Sequence, residues 1–367
     1  MHTCQHLTTA QVRSIIILLY SYGERIVPDL VEGPSPIEVE FRVSLAHSLL
    51  ATVSLVCGVP FYEGLGDWLL EARAKLEPAQ LAELCLLVGF PGHIQRFTAE
   101  LAASLPADAP ELDQPGLMAH LGAMPGDEYS QMALRALARG STPRPTSDEL
   151  RTLMDQPAEW AGYLAQVGSL VAPEVVAGLV RDGEELKSWW LSALERFWHD
   201  VYSTEFKATR PLMERSVAFQ QGRPRPTSFD DLFVMVTGRL APEQIVQVLP
   251  TVKRVVFVPS CYVGPYVAYT HFDSELILYY NCRSAPVDAG GAGSEDSAAL
   301  YPPLKALADE TRLEILNLLT NRELYAQEIV EHLGISQPAV SRHLTLMAAA
   351  GVLRIRRDGN AKYYALN

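Results

Sequence analysis

The sequence predicts a mostly α-helical N-terminal domain with a small antiparallel β-sheet, followed by an α+β C-terminal domain of short helices and a hairpin. Three observations predict this. Apolar residues recur at helical spacing through most of the chain before Thr251. A block of β-branched and aromatic runs follows between Thr251 and Arg283. Beyond Leu304 the signals change again, to short helices, a Gly-marked turn and an Asp-Gly hairpin. The chain has 367 residues, suited to two or three domains, and 48% of them are apolar, enough for a sizeable core.

The elements follow in order. Val12 to Tyr20 (VRSIIILLY) is about half the length needed to span a bilayer, and no small-residue cleavage site follows it. Neither a membrane span nor a signal peptide is expected. Ile37 to Phe41 alternates apolar and acidic residues, the period of one short strand. Ser44 to Cys57 reads as an apolar helix; Phe61 to Leu76, Pro78 to Val88 and Tyr129 to Arg139 read as amphipathic helices. The run PRPTS occurs at Pro143–Ser147 and again at Pro224–Ser228. In each, Pro breaks the chain and Thr or Ser can cap the next helix, with Thr146/Glu149 and Thr227/Asp230 at capping-box spacing. Glu184 to Gln221 is one long helix or two, with its interruption expected near Pro211. Between Thr251 and Arg283, three strands (VKRVVFVP, PYVAYTHF, ELILYYNC) are separated by Gly264-Pro265 and Asp273-Ser274.

Ser284 to Ala299 is rich in Gly, Ala, Ser and acids and reads as a flexible linker. It divides the chain into a domain at 1–283, a linker at 284–299 and a domain at 300–367. Charge follows the same division. The net charge of −13 is unfavourable for nucleic acid, but from Leu300 onward eight Lys/Arg face seven Asp/Glu, leaving 22 against 36 in the first 299 residues. The five cysteines (Cys4, Cys57, Cys85, Cys261, Cys282) are scattered and include no CxxC. They read as reduced thiols of a cytoplasmic protein.

The C-terminal segment carries the most specific pattern. Leu304 to Ala308 is a short helix. A second begins at Asp309 and Thr311, with Thr311 and Glu314 at capping-box spacing and an apolar stripe of Leu313, Leu316 and Leu319 beside Ile315. Tyr325 to Leu333 is a third, ended by Gly334, where a left-handed backbone is usual. Ser336 caps a fourth, whose first turn tolerates Pro338. On this helix Val340, Leu344 and Met347 point inward, while Gln337, Ser341, Arg342 and Thr345 lie opposite. Those are short or planar hydrogen-bonding groups of the kind that read base edges in the major groove of DNA. VLRIRR and AKYYAL then pair across Asp358-Gly359-Asn360, which puts Arg356, Arg357 and Lys362 near the tip of a hairpin, placed for phosphates or the minor groove. This succession is the geometry of a winged helix-turn-helix.

LKALADETRLEILNLL (304–319), QEIVEHLGISQPAVSRHLTLMAAAGVL (327–353) and RRDGNAKYYAL (356–366) together resemble the ArsR family of winged-helix repressors. The resemblance implies base contacts by Ser336, Gln337, Ser341 and Arg342 and a wing turn at Gly359. Two departures stand out. Metal-sensing members carry Cys-x-Cys on the third helix, and Glu323-Leu324-Tyr325-Ala326-Gln327 has no thiol. Members often end in a further helix that builds the dimer, and this sequence stops at Asn367, directly after the wing. The dimer interface is therefore expected in the N-terminal domain. The first 283 residues are similar, through FRVSLAHSLL, Trp68 in GDWL, FWHDVY and FVPSCYVGPYVAY, to an N-terminal domain of unknown function that precedes ArsR-type domains in some bacterial regulators. That similarity implies no activity or ligand.

Other chemistry is weaker. His2, Cys4 and His6 are good zinc or copper ligands but need partners from elsewhere, and no metal or cofactor is expected. Trp189, Trp190, Phe197 and Trp198, with Tyr262, Tyr266, Tyr269 and Phe272, either line a ligand pocket or form core, as aromatics at helical spacing usually do. His199-Asp200 and His271/Asp273 are acid–base pairs without a nucleophile motif, phosphate loop or metal box, so no enzyme is expected. The sequence reading is a homodimeric repressor of double-stranded DNA, controlled by a small-molecule effector of its N-terminal domain. In the alternatives that domain is a ligand-free dimerisation or docking module, or a fused enzyme.

Overall fold

The computed structural model describes residues 37–62, 64–85, 96–105, 112–138, 143–166, 171–282, 304, 306–320, 322–358 and 361–366. The expectations for Val12–Tyr20, for His2, Cys4 and His6, for the linker and for Gly359 lie outside the described residues. Among the described residues no helix is long and apolar enough to cross a membrane. The chain divides into two compact units, one of Ile37–Pro224 with Thr251–Ala285, the other including Arg225–Pro250 and Pro286–Asn367. Residues 225–250 thus group with the C-terminal segment, a division the sequence reading does not draw.

The first unit holds eleven described helices: α1 (Leu45–Gly58), α2 (Trp68–Lys75), α3 (Pro78–Leu84), α4 (Arg96–Ala103), α5 (Gln114–Ala123), α6 (Gly126–Ala138), α7 (Ser147–Met154), α8 (Pro157–Gln166), α9 (Pro173–Arg181), α10 (Gly183–Phe197) and α11 (Ser203–Gly222). Their starts follow local chemistry. Ser44 Oγ accepts from the His47 amide at 3.3 Å and caps α1. Thr146 and Glu149 form the expected capping box on α7. The expected helix over Phe61–Leu76 begins only at Trp68, because Gly64 takes a left-handed backbone (φ 76°) that no helix continues. Gly183, at the start of α10, has no room for a side chain: a Cβ there would overlap the Gly126 carbonyl of α6.

The break expected at Pro211 falls elsewhere. α10 passes into α11 through five residues of π-helix, Trp198–Tyr202, and Pro211 lies inside α11. Pro211 is solvent-exposed, so the carbonyl that loses its helical donor can be hydrated. The π segment adds a residue to the turn and sets Trp198 and Tyr202 against each other, with ring centroids 6.0 Å apart.

The sheet is mixed, not antiparallel as expected. β1 (Glu38–Phe41), β2 (Arg254–Ser260), β3 (Ala268–Phe272) and β4 (Glu275–Asn281) pair in the order β1-β2-β4-β3. β1–β2 and β2–β4 are parallel, and only β3–β4 is antiparallel, across the two-residue turn Asp273-Ser274. β2 is buried from Val255 to Ser260, as suits a central strand covered on both faces. Neighbouring residues of β4 show this: Tyr279 Oη meets His47 Nδ1 of α1 at 3.2 Å, and Tyr280 Oη meets Ser216 Oγ of α11 at 3.1 Å.

Candidate nucleic-acid interface

In the C-terminal segment, α14 (Glu310–Leu318) is capped by Asp309, whose Oδ1 accepts from the Arg312 amide at 3.0 Å; α12 (Phe229–Thr237) and α13 (Glu243–Val248) precede it in this unit. The cap is Asp309, not the expected Thr311/Glu314 pair. Ile315, Leu316 and Leu319 are buried, whereas Leu313 is 42% exposed and leaves the stripe. In α12 the cap is Ser228 with Asp231, one residue on from the pair read in sequence. The two-residue strand β5 (Leu324–Tyr325) leads into α15 (Ala326–Leu333), which ends at Gly334 with φ 66°.

That left-handed turn aims the next helix, α16 (Gln337–Ala349). Ser336 stands at its N-cap with no side-chain capping bond, so its hydroxyl is not spent there as expected. Val340, Leu344 and Met347 are all fully buried. Ser336, Gln337, Ser341 and Arg342 are exposed, and Thr345 is half-buried. The Thr345 hydroxyl donates back to the Ser341 carbonyl at 2.7 Å. The first two turns of α16 therefore present an amide, hydroxyls and a guanidinium over a fixed apolar seat. At its other end the Arg239 guanidinium bonds the Ala349 carbonyl, a cation at a helix C-terminus.

The wing is β6 (Leu353–Asp358) with β7 (Ala361–Leu366), in a sheet ordered β5-β7-β6. Register separates its cations. Arg357 is paired with Lys362 in the register, while Arg354 and Arg356 lie on one face with Tyr363. Lys362 is exposed. The Arg356 guanidinium carbon is 4.6 Å from the Tyr363 ring centroid. Arg356 Nε donates to Glu323 at 2.9 Å, and Arg354 Nη2 lies 3.4 Å from the same carboxylate. Glu323 and Tyr363 were missed in the sequence, where only strand parity could have pointed to them.

The aromatic residues proposed for a pocket are packed instead against one another. Trp190, Phe197, Trp198 and Tyr262 are buried, Trp190 against Phe97 at 5.1 Å. Phe197 and Trp198 both meet Tyr202, each at 6.0 Å, and Tyr202 joins Tyr262 through Trp68. Tyr262 donates to Glu205 at 2.7 Å, and burial pushes its phenol well above the usual range. Trp189 is half-buried and bonds the Glu83 carbonyl at 3.4 Å; Tyr266 meets Tyr62 at 5.3 Å. His199 and Asp200 are exposed on the π segment, and His271 Nε2 lies 3.2 Å from Thr251 Oγ1. Among the described residues no three His, Cys, Asp or Glu side chains group as a metal site.

A Gly-turned helix pair, a polar reading helix and a basic hairpin define a winged-helix regulator. A family model described as "Bacterial regulatory protein, arsR family" matches residues 309–354. The arsenical resistance operon repressor of Staphylococcus aureus is 44% identical over 64 residues, covering 17% of this chain and 62% of that protein. The transcriptional repressor SdpR of Bacillus subtilis is 43% identical over 63 residues, covering 17% of this chain and 70% of that one. Among solved structures, HlyU from Vibrio cholerae is 36% identical, covering 20% of this chain and 79% of that chain with a TM-score of 0.20. The chain belongs to the ArsR family of DNA-binding transcriptional regulators.

Proposed function

We propose that this chain represses transcription by occupying a double-stranded DNA operator as a homodimer in the cytoplasm, with α16 in the major groove and the wing on the backbone. The observation that supports it best is the exposed face of Ser336, Gln337, Ser341 and Arg342 above fully buried Val340, Leu344 and Met347. Gln337 suits adenine and Arg342 suits guanine, while Arg356, Arg357 and Lys362 suit phosphates. Two reading helices about 34 Å apart would engage successive half-sites. The relatives named as repressors support the sign of regulation. The acidic unit lies outside the family match, and we propose that it receives a small-molecule effector, acting as a regulatory module and not as an enzyme.

The test is selection of duplexes from a randomised library by the full chain. The expected product is an inverted repeat with half-sites one helical turn apart, bound with a steep salt dependence. A chain that enriches no sequence, or binds only single strands, would overturn the proposal.

A further inference from the structure

The cysteines that are scattered in sequence meet in space. β2 and β4 run parallel in register up to Ser260 opposite Asn281, and the residues that directly follow the two strands are Cys261 and Cys282. Neighbouring strands lie about 4.8 Å apart, within the roughly 4.4–6.8 Å between Cα atoms that a disulfide spans. The two Sγ atoms are 2.9 Å apart, and neither is disulfide-bonded. Cys261 is 3% exposed and Cys282 is fully buried.

We propose that Cys261 and Cys282 are an oxidisable dithiol, a modification site that a small peroxide converts to a disulfide. The register already supplies the backbone spacing, so closing the bond moves the sulfurs by less than about 1 Å. A thiophilic cation fits less well. Two sulfurs on one tetrahedral ion, at bond lengths of about 2.3 Å, stand roughly 3.7 Å apart. No third His, Cys, Asp or Glu side chain groups with them among the described residues.

The chemistry balances with the peroxide as oxidant. The Cys261 thiolate, on the less enclosed side, attacks one peroxide oxygen; an S–O bond forms, the O–O bond breaks, and the departing hydroxide takes up the thiol proton as water. Cys282 sulfur then attacks the sulfur of the sulfenic acid. The S–S bond forms, the S–O bond breaks, and the second thiol proton leaves with that oxygen as a second water. Two thiols lose two electrons in total, and one peroxide is reduced to two waters.

A second thiol pair lies in the same unit and serves as the internal comparison. A hydrogen bond from Cys57 holds the Cys85 thiol below its ordinary value, with Arg73 adding to the effect, while burial pushes Cys57 up.

The experiment treats the full chain with hydrogen peroxide, alkylates remaining thiols after denaturation, and digests without reduction using chymotrypsin, which cuts between the two cysteines. The expected result is a Cys261–Cys282 cross-link, a thiol titre lower by two of the five per chain, and recovery on adding dithiothreitol. In Cys282→Ser, Cys261 is expected to persist as a sulfenic acid that dimedone traps. The mapping on the native chain needs no variant to fold. Cys261 and Cys282 both alkylated after oxidation, or a cross-link confined to Cys57 and Cys85, would overturn the proposal.

Discussion

Glu323 accepts a hydrogen bond from Arg356 at 2.9 Å and holds Arg354 on the same carboxylate, so two of the wing's cations are partly neutralised within the chain. Both arginines are more than half exposed, and an exposed pair of this kind contributes about 1 kcal/mol or less. Glu323→Gln is expected to tighten binding to any duplex roughly two- to fivefold and to steepen its salt dependence. Fluorescence anisotropy on a sequence-neutral duplex at several salt concentrations measures this. Equal or weaker binding would mean that Glu323 positions the arginines for DNA instead of competing with it.

Gly334 sets the angle between α15 and α16. A Cβ at this position meets no atom within 4 Å, so Gly334→Ala carries only the penalty of holding a side chain at φ 66°. The expected cost is about 1–2 kcal/mol of winged-domain stability, read by urea denaturation. Wild-type stability would show that the helix end relaxes out of the left-handed turn.

His47 couples the first unit to pH. Burial, and secondarily the charge of Arg42, push its ring down to about 3. The unfolded chain carries an imidazole near 6.5, so between these values it binds a proton that the folded unit refuses. The stabilisation is complete above 6.5 and declines as pH falls through that window, by about 1.4 kcal/mol per pH unit. His47→Gln should flatten the difference between urea midpoints at pH 7 and pH 5; an unchanged slope would place the ring in solvent.

How much was legible follows from range. The capping box at Thr146 and the turn at Gly334 are chemistry within four residues, and the sequence displays them directly. The strand directions were not legible. β2 is apolar on both faces, so its residues say nothing about whether β4 arrives parallel or antiparallel. The π segment at Trp198–Tyr202 was equally hidden, because proline is a visible helix breaker and an inserted residue is not.

The exposed polar face of α16 was legible for a related reason. Val340, Leu344 and Met347 fix one side of α16 by helical spacing alone, and the polar residues must then face outward. What escaped were partners supplied from other elements: Glu323 to the wing arginines, Arg239 to the end of α16, Cys282 beside Cys261. Each pair is set by tertiary register, which one-dimensional spacing does not record.

Arg342 gives the most direct test of DNA reading by α16. It is exposed on the second turn of α16, opposite the buried stripe. On the duplex selected by the full chain, Arg342→Ala is expected to lose about 1–3 kcal/mol of affinity, roughly five- to 150-fold, while binding a scrambled duplex almost as well as the parent. Unchanged affinity for the selected duplex, with the fold intact by circular dichroism, would contradict the assignment of α16 as the reading helix.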